Sequence, residues 1–429
     1  MECDFEELLE KLRTYVRLDQ NKVPRFSELV GVELFEKFRL CIVRSVASNE
    51  LEIAYKWISE TKRALDNALK TLSISSYTLP KELSSFISDP LQHLKKKVFN
   101  YSYDLLRGSI SFEEFYEKVL RAVTTSLRAN LRGCYQLWAL TTMMKLFGEM
   151  GYVIAYPESR YLNFDRSGKQ KLGVIPPNFV LLSIGRGYLS FFHEAPRPLG
   201  WEDTGDLQKV WSLYTALRPD LMVYSGRVMD IVDLSSSPPI KRPDAIIEFK
   251  ELEDWWKRVR DLKGFLRRPL TAEEWRSKWI NGLFEGLAEA MVVKRVDVEK
   301  RVEEGASMRV KEYQLVLLYK ATYKPRKILL VSRKETPPEV KKSLIESGID
   351  VLDRVEFSEE RLREAVNQLS EIASFNSSET VVIEVPRSVA IELEAIRMRL
   401  KLNSLGEVIG YLVRFLHDSG AKPWFTSSE

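Results

Sequence analysis

The chain has 429 residues, of which 45% are hydrophobic, and a formal net charge of +4, which is enough material for two or three globular domains. No stretch of the sequence approaches the roughly 20 apolar residues that a membrane-spanning helix needs, and the acidic, amphipathic start does not have the form of a secretion signal. We therefore expect a protein of the cytoplasm that does not enter a membrane.

Residues 1–125 predict an all-helical domain. From Arg25 to Leu72, apolar residues recur at three- and four-residue spacing, which is the period of one helix face. Ser111 and Glu114 have the spacing of a capping box, which predicts the start of another helix. No catalytic pattern occurs here, so two interpretations stay open: a helical scaffold, or a domain for recognition or partner docking.

Residues 126–376 change in character and predict an α/β domain with a mixed central sheet. Helices are predicted from Leu131 to Met150, over residues 272–295, and from Ser358 to about Ser374. The predicted strands are Asn178–Ile184, Tyr188–His193, Leu221–Tyr224, Ala245–Lys250, Tyr313–Tyr319 and Lys327–Ser332. Helices interspersed with such strands are typical of an α/β sheet covered by helices.

Three residues on two of these strands carry the candidate chemistry. Side chains alternate between the faces of a strand, so Glu248 and Lys250 point the same way. Asp220 begins the preceding strand, and if the two strands are neighbours, two carboxylates and one ammonium group meet. With only three histidines and three cysteines in the chain, carboxylate oxygen is the expected metal ligand, which favours Mg²⁺ or Mn²⁺. A metal on Asp220 and Glu248, with Lys250 orienting water or stabilising an oxyanion, suits phosphodiester hydrolysis.

The order Pro219-Asp220 and then Glu248-Phe249-Lys250 resembles the PD-(D/E)xK nuclease superfamily. Residues 126–376 also look like the nuclease subunit of methylation-dependent, McrC-like restriction systems, which share the Tyr135–Trp138 helix and a later helix with Lys278-Trp279. The resemblance implies a restriction-endonuclease-like fold and a metal-dependent DNA endonuclease that acts against foreign DNA. Because the chain has no phosphate-binding loop of the motor NTPases, it also implies a separate motor NTPase as a partner.

The chain departs from this resemblance at one position. McrC-like proteins commonly carry Glu in the early helix where this chain has Gln136, a weaker ligand for a divalent cation. Glu194, which follows a predicted strand, is the candidate substitute. Asp244 also follows a proline, but it precedes Glu248 on the same strand, and a separate strand must supply the aspartate. The alternative function is therefore an inactive nuclease scaffold that binds DNA or regulates.

A basic run that contains tryptophan follows Lys250. Beside a hydrolytic metal, basic side chains would hold the phosphate backbone, and tryptophan would stack on bases. The alternative is an amphipathic helix with tryptophan in the core and its charges in water. The candidate nucleic-acid contacts are Trp255, Lys257, Arg258, Arg260, Lys263, Arg267 and Arg268.

Residues 377–429 follow a short polar linker and predict one strand and two helices. Residues 379–418 resemble a ribbon-helix-helix domain, which implies a homodimer because one copy cannot bury its apolar face alone. The outward ribbon side chains would be Thr380, Val382 and Glu384, which lack the basic or amide groups that read bases. Dimerisation is therefore favoured over DNA reading for this module.

Overall fold

The computed structural model describes residues 5–165, 175–195, 218–261 except 234, 237 and 239, 287–288, 294–303, 309–375 and 385–418. The chain divides into two compact units, Met1–Asn376 and Ser377–Glu429, and this division falls at the predicted start of the C-terminal module. Among the helices within those ranges, none has both the length and the apolar character required to cross a membrane.

Helices form the first part of unit 1. They are α1 (Phe5–Thr14), α2 (Leu29–Thr71), α3 (Lys81–Ser88), α4 (Pro90–Lys97), α5 (Phe99–Leu106) and α6 (Phe112–Glu149), with the short strands β1 (Val16–Leu18), β2 (Pro24–Phe26) and β3 (Ser76–Thr78). The predicted capping box is confirmed at the start of α6, where Ser111 and Glu114 bond each other's backbone N–H groups. Since α6 runs through residue 126 without a break, the predicted boundary there lies inside a helix.

A mixed sheet forms the centre of unit 1. The later strands are β4 (Val153–Tyr156), β5 (Tyr161–Asn163), β6 (Phe179–Ser183), β7 (Gly187–His193), β8 (Leu221–Ser225), β9 (Ala245–Lys250), β10 (Val259–Asp261), β11 (Arg309–Lys311), β12 (Lys327–Ser332) and β13 (Asp350–Leu352). Within the described ranges, the sheet has seven strands in the order β13-β12-β9-β8-β7-β6-β4. Strands β13, β12 and β9 are parallel, and the pairs from β9 to β4 are antiparallel. The predicted mixed α/β architecture is confirmed.

The two faces of the sheet are covered by different helices. The later helices are α7 (Arg295–Glu303), α8 (Glu312–Tyr323), α9 (Pro338–Glu346) and α10 (Glu359–Ser370). Ile247 and Phe249 of β9 belong to the core that α2, α6 and α10 share. Ile246, one residue away, belongs to a second core with α8 and α9. This alternation puts Glu248 and Lys250 on the α8 face.

One predicted strand is wrong, because Tyr313–Tyr319 lies within helix α8. Leu315, Val316, Leu318 and Tyr319 are all buried, so the helix reads as a continuous apolar run. Periodicity alone does not distinguish such a helix from a buried strand. Of the predicted helix over 272–295, only residues 287–288 and 294–295 fall within the described ranges.

Gly187→Ala is expected to lower the free energy of unfolding by about 2–4 kcal/mol. Gly187 has φ +101°, and a Cβ there would overlap the backbone of Ser374, whose carbonyl accepts the Tyr188 N–H at 2.8 Å. Urea unfolding measures the effect. Gly185→Ala is the matched control, since a Cβ there meets nothing within 4 Å; equal stability of the two variants would contradict the prediction.

Unit 2 contains the two helices predicted from the sequence, now α11 (Arg387–Leu400) and α12 (Leu405–Asp418). The predicted ribbon residues Thr380, Val382 and Glu384 lie outside the described residues. No residue of α11 is buried, and Ile391 and Phe415 are 62% and 58% exposed. The two helices described therefore leave much of their apolar surface uncovered.

Candidate active site

Strands β8 and β9 bring the two predicted metal-binding carboxylates together. They are antiparallel neighbours with Leu221 opposite Ile247, which puts Asp220 opposite Glu248. The Asp220 N–H donates to Oε2 of Glu248 at 3.1 Å, and the Phe249 N–H donates to Oδ2 of Asp220 at 2.8 Å. The two carboxyl groups thus lie side by side where β8 begins and β9 nears its end.

Lys250 lies between two buried carboxylates. Its Nζ donates to Oε1 of Glu248 at 2.8 Å and to Oε2 of Glu312 at 2.9 Å. Lys250 is 1% exposed and Glu312 is 2% exposed. Glu312 is in the first turn of α8, where the positive end of the helix dipole favours a carboxylate. The start of α8 therefore supplies Lys250 with its second partner.

Helix α6 contributes two further side chains. Gln136 is buried and its Nε2 donates to Oδ1 of Asp220 at 2.7 Å. Arg132, four residues earlier and hence on the same face of the helix, has its Nε 3.7 Å from Oε1 of Glu251. Glu251 is buried as well. The structure therefore adds Arg132 and Glu251 to the predicted set.

Four carboxylates and two cations of the described chain interact with one another at the end of β9. The ionisable groups there, which we call the charged cluster, are Arg132, Asp220, Glu248, Lys250, Glu251 and Glu312. Within the described part of the chain, four carboxylates act on Arg132, and Lys250 is the other cation of the cluster. Buried charge is costly unless it is compensated. Within the cluster, Lys250 compensates Glu248 and Glu312 directly, whereas the carboxylates of Asp220 and Glu248 lie next to each other.

The surroundings change the ionisation of two groups in the cluster. Loss of solvent, and secondly repulsion from Glu248, raise the pKa of Asp220 to about 7. Burial by itself lowers the pKa of Lys250, but the carboxylates of Glu248 and Glu312 outweigh it and hold that pKa above its ordinary value. Lys250 is thus a cation at every physiological pH, whereas Asp220 gains or loses a proton near neutrality.

The two other candidate acids lie at different places: Glu194 is next to Asp220 through a backbone hydrogen bond, and Asp244 is at the opposite end of β9 from Lys250. The Glu194 N–H donates to the Asp220 carbonyl at 2.8 Å, but its Oε1 lies 3.5 Å from the guanidinium of Arg218. Asp244 lies just before β9, away from Glu248, where its Oδ2 accepts the Ser225 N–H at 2.8 Å. Of the two aspartates that follow a proline, Asp220 is the one beside Glu248.

Trp255 is part of the core. It is 1% exposed, and its indole N–H donates to Oγ of Ser332 at 3.1 Å. Its ring also lies 5.8 Å from Nζ of Lys250. Because its ring and its N–H both have partners inside the protein, Trp255 does not present a stacking surface for a base. The prediction that it contacts nucleic acid is wrong, and the alternative that it belongs to the core is correct.

The basic run after Trp255 is described only in part. Lys257 closes a short 3₁₀ turn, Arg258 follows it, and Arg260 lies in β10, which pairs with β11. The described part is therefore a turn and a strand rather than an amphipathic helix. Lys263, Arg267 and Arg268 lie outside the described residues.

Sequence reasoning missed Arg132, Glu251 and Glu312. Arg132 precedes Gln136 by one helical turn, so helical spacing was a usable signal for it. Glu251 directly follows β9, so strand alternation predicts that its side chain lies on the face opposite Lys250. On that face it contacts Arg132 of α6. Glu312 is 62 residues from Lys250 and adjoined the segment wrongly predicted as a strand, so no local pattern linked the two.

A divalent cation fits the donors at this site. Asp220 and Glu248 supply hard oxygen atoms, and each carboxylate oxygen has acceptor capacity beyond its present hydrogen bond. The described ranges contain no group of three or more His, Cys, Asp or Glu arranged to hold a metal. A cation would therefore have two carboxylates and several waters as ligands, which is the arrangement Mg²⁺ usually keeps.

Searches against protein families, curated proteins and solved structures find no match to this chain.

Proposed function

We propose that this protein is a divalent-metal-dependent nuclease that hydrolyses DNA phosphodiester bonds. The observation that carries the proposal is the meeting of Asp220, Glu248 and Lys250 at one buried point. The resemblance to restriction nucleases supports a role in defence against foreign DNA, with a restriction-endonuclease-like fold for residues 126–376 and a separate motor NTPase as partner. The adjacent carboxylates of Asp220 and Glu248 support Mg²⁺ or Mn²⁺ as the cofactor, because these cations prefer oxygen ligands.

Asp220 and Glu248 would hold the metal. A bound divalent cation would supply stabilisation of negative charge on a phosphate and would make a water molecule more acidic. Lys250, fixed by Glu248 and Glu312, keeps its positive charge where negative charge develops on the phosphate oxygens. Because its two partners already hold it in place, little reorganisation is required when the reaction occurs.

Metal-dependent cleavage of labelled DNA tests this proposal. Wild-type protein should cut DNA with Mg²⁺ or Mn²⁺ and not with EDTA, and Glu248→Gln should reduce cleavage by about 10²–10³-fold. Asp244→Asn is the matched control, because Asp244 is an acid beside the same strand but outside the charged cluster. Equal loss in both variants, or cleavage in EDTA, would argue against the proposal.

Gln136 favours a second candidate, an inactive DNA-binding or regulatory protein on the same scaffold. Its amide donates to Oδ1 of Asp220 at 2.7 Å, and an amide is a weaker ligand than the carboxylate common in McrC-like proteins. DNA binding without cleavage under Mg²⁺ and Mn²⁺ would support this candidate. Cleavage gained by Gln136→Glu would identify Gln136 as the cause.

The affinity for Mn²⁺ is expected to rise by about tenfold per pH unit up to pH 7 and to level off above it. The pKa of Asp220 is raised to about 7, so below that pH a proton must leave before the carboxylate binds metal. Isothermal titration of the full chain at pH 6, 7 and 8 measures this. A pH-independent affinity would show that Asp220 does not bind the metal.

We also propose that the C-terminal module forms a homodimer. The exposed apolar side chains of α11 and α12, such as Ile391 and Phe415, support pairing with a second copy, because two helices do not bury such a face on their own. Light scattering on the full chain should give the mass of a dimer. A monomer at micromolar concentration would contradict the proposal.

A further inference from the structure

A cleft of about 730 Å³ runs along one face of helix α6 and ends at the charged cluster. Its lining residues on α6 recur at three- and four-residue spacing from Lys118 to Gln136, which is the period of one helix face. At 1.5 Å per residue, this face is about 27 Å long. Arg132 and Gln136 border both the cleft and the cluster, so the two are continuous.

Basic side chains lie at the end of the cleft that is far from the charged cluster. Lys118 and Arg121 lie at the end of this α6 face that is most distant from Gln136, and the acidic lining residues are Glu82, Asp165 and Glu194. The guanidinium of Arg121 lies 3.1 Å from Oε2 of Glu117, but both side chains are largely exposed. Such surface ion pairs contribute little to stability in water. A phosphate would therefore compete readily for Arg121.

Two of the acidic residues are already paired with cations. Glu82 forms an ion pair with Lys97, which also lines the cleft. Glu194 lies 3.5 Å from Arg218. These pairs reduce the negative charge that an anionic ligand would meet on its way to Arg132.

The walls of the cleft are apolar and leave space. Leu79, Leu83 and Leu137 line it, and α6 contributes the small residues Ala129 and Gly133. At Gly133 the helix comes so close to α3 that a Cβ would lie 3.1 Å from a methyl group of Leu83. Tyr101 and Phe164 line the cleft as well. Proteins bind unpaired nucleic acid by combining aromatic side chains, on which bases stack, with cations that hold the phosphates.

We propose that this cleft holds a single DNA strand, or the unpaired end of a duplex, and leads it to the charged cluster. A space of about 730 Å³ has the size of a small-molecule site, and it is too small for a duplex, whose major groove alone is wide enough to admit an α-helix. Arg132 is the cation at the junction, where it would contact the phosphate that enters the cluster. The cleavage part of this inference rests on the proposed nuclease function.

Equilibrium binding in EDTA tests the cleft without turnover. The probes are a fluorescent single strand of 12 nucleotides and a blunt duplex of the same sequence. Lys118→Glu/Arg121→Glu should weaken single-strand binding at least tenfold and lower the salt slope by about 0.7 for each phosphate that the protein no longer neutralises. Ala129→Trp should weaken it as well by filling the cleft. Arg128→Glu is the matched control, because Arg128 is an exposed arginine on α6 that does not line the cleft.

The outcomes separate this inference from the nuclease proposal. Duplex bound as tightly as single strand, or cleft variants that bind single strand like Arg128→Glu, would overturn the inference even if DNA is cut. Binding that depends on the cleft, together with no cleavage in Mg²⁺ or Mn²⁺, would sustain the inference and reject the nuclease. Unchanged thermal unfolding and Mn²⁺ affinity of the variants would exclude misfolding as the cause of weaker binding.

Discussion

Lys250→Met is expected to reduce metal-dependent DNA cleavage by about 10²–10³-fold and to destabilise the fold by about 3–5 kcal/mol. The reason for both effects is the position of the ammonium group between the buried carboxylates of Glu248 and Glu312. Without Lys250, two carboxylates stay in the interior with no cation between them. Initial cleavage rates and urea unfolding measure the two effects on the same protein.

A second substitution separates stability from activity. In Lys250→Met/Glu312→Gln one of the two orphaned charges is gone, so much of the stability should return while cleavage stays absent. Lys327→Met is the control for removal of a lysine from the same sheet, because Lys327 starts β12 and is paired at 3.5 Å with a half-exposed Asp350. Cleavage within threefold of wild type in Lys250→Met would remove Lys250 from the proposed machinery.

The sequence was sufficient to predict that Asp220 and Glu248 lie close together, because two short-range rules determine their positions. Alternation along a strand puts Glu248 and Lys250 on one face, and the need for a second strand selected Asp220 over Asp244. The apolar pattern also located β8, β9 and β12 within a residue or two. Gln136 was found in a different way, through the resemblance, and the structure puts its amide on Asp220.

The rest of the site depends on contacts that no local pattern encodes. Glu312 reaches Lys250 only because Tyr313–Tyr319 is a helix, and a helix buried on nearly all sides has the same apolar run as a buried strand. The sequence fits Trp255 equally well to stacking on a base and to packing in the core. The contact that decides between them is the hydrogen bond to Ser332, which belongs to another strand. The cleft along α6 exists only because α3 packs beside it, and the sequence pattern of neither helix predicts which other helix it contacts.

Asp220→Asn is expected to stabilise the metal-free protein by about 2–4 kcal/mol above pH 7 and to abolish Mn²⁺ binding and cleavage. In the wild type, loss of solvent and repulsion from Glu248 raise the pKa of Asp220 to about 7, from an ordinary value of about 4. The unfolded chain therefore loses this proton at lower pH than the folded protein. As a result, the free energy of unfolding falls as the pH rises from about 4 to about 7, and asparagine avoids this penalty.

The hydrogen bonds around Asp220 can accommodate the substitution. The introduced amide accepts from the Phe249 N–H, which now donates to Oδ2 at 2.8 Å, and donates to Gln136 once that side-chain amide has turned over. Urea unfolding in EDTA should show a larger gain at pH 8 than at pH 5. Added Mn²⁺ should reduce the stability difference between variant and wild type, because it binds and stabilises only the folded wild-type protein. If the variant were no more stable than wild type at pH 8 in EDTA, the ionised carboxylate of Asp220 would carry no energetic penalty beside Glu248, and this pair of carboxylates would have no electrostatic demand for a cation.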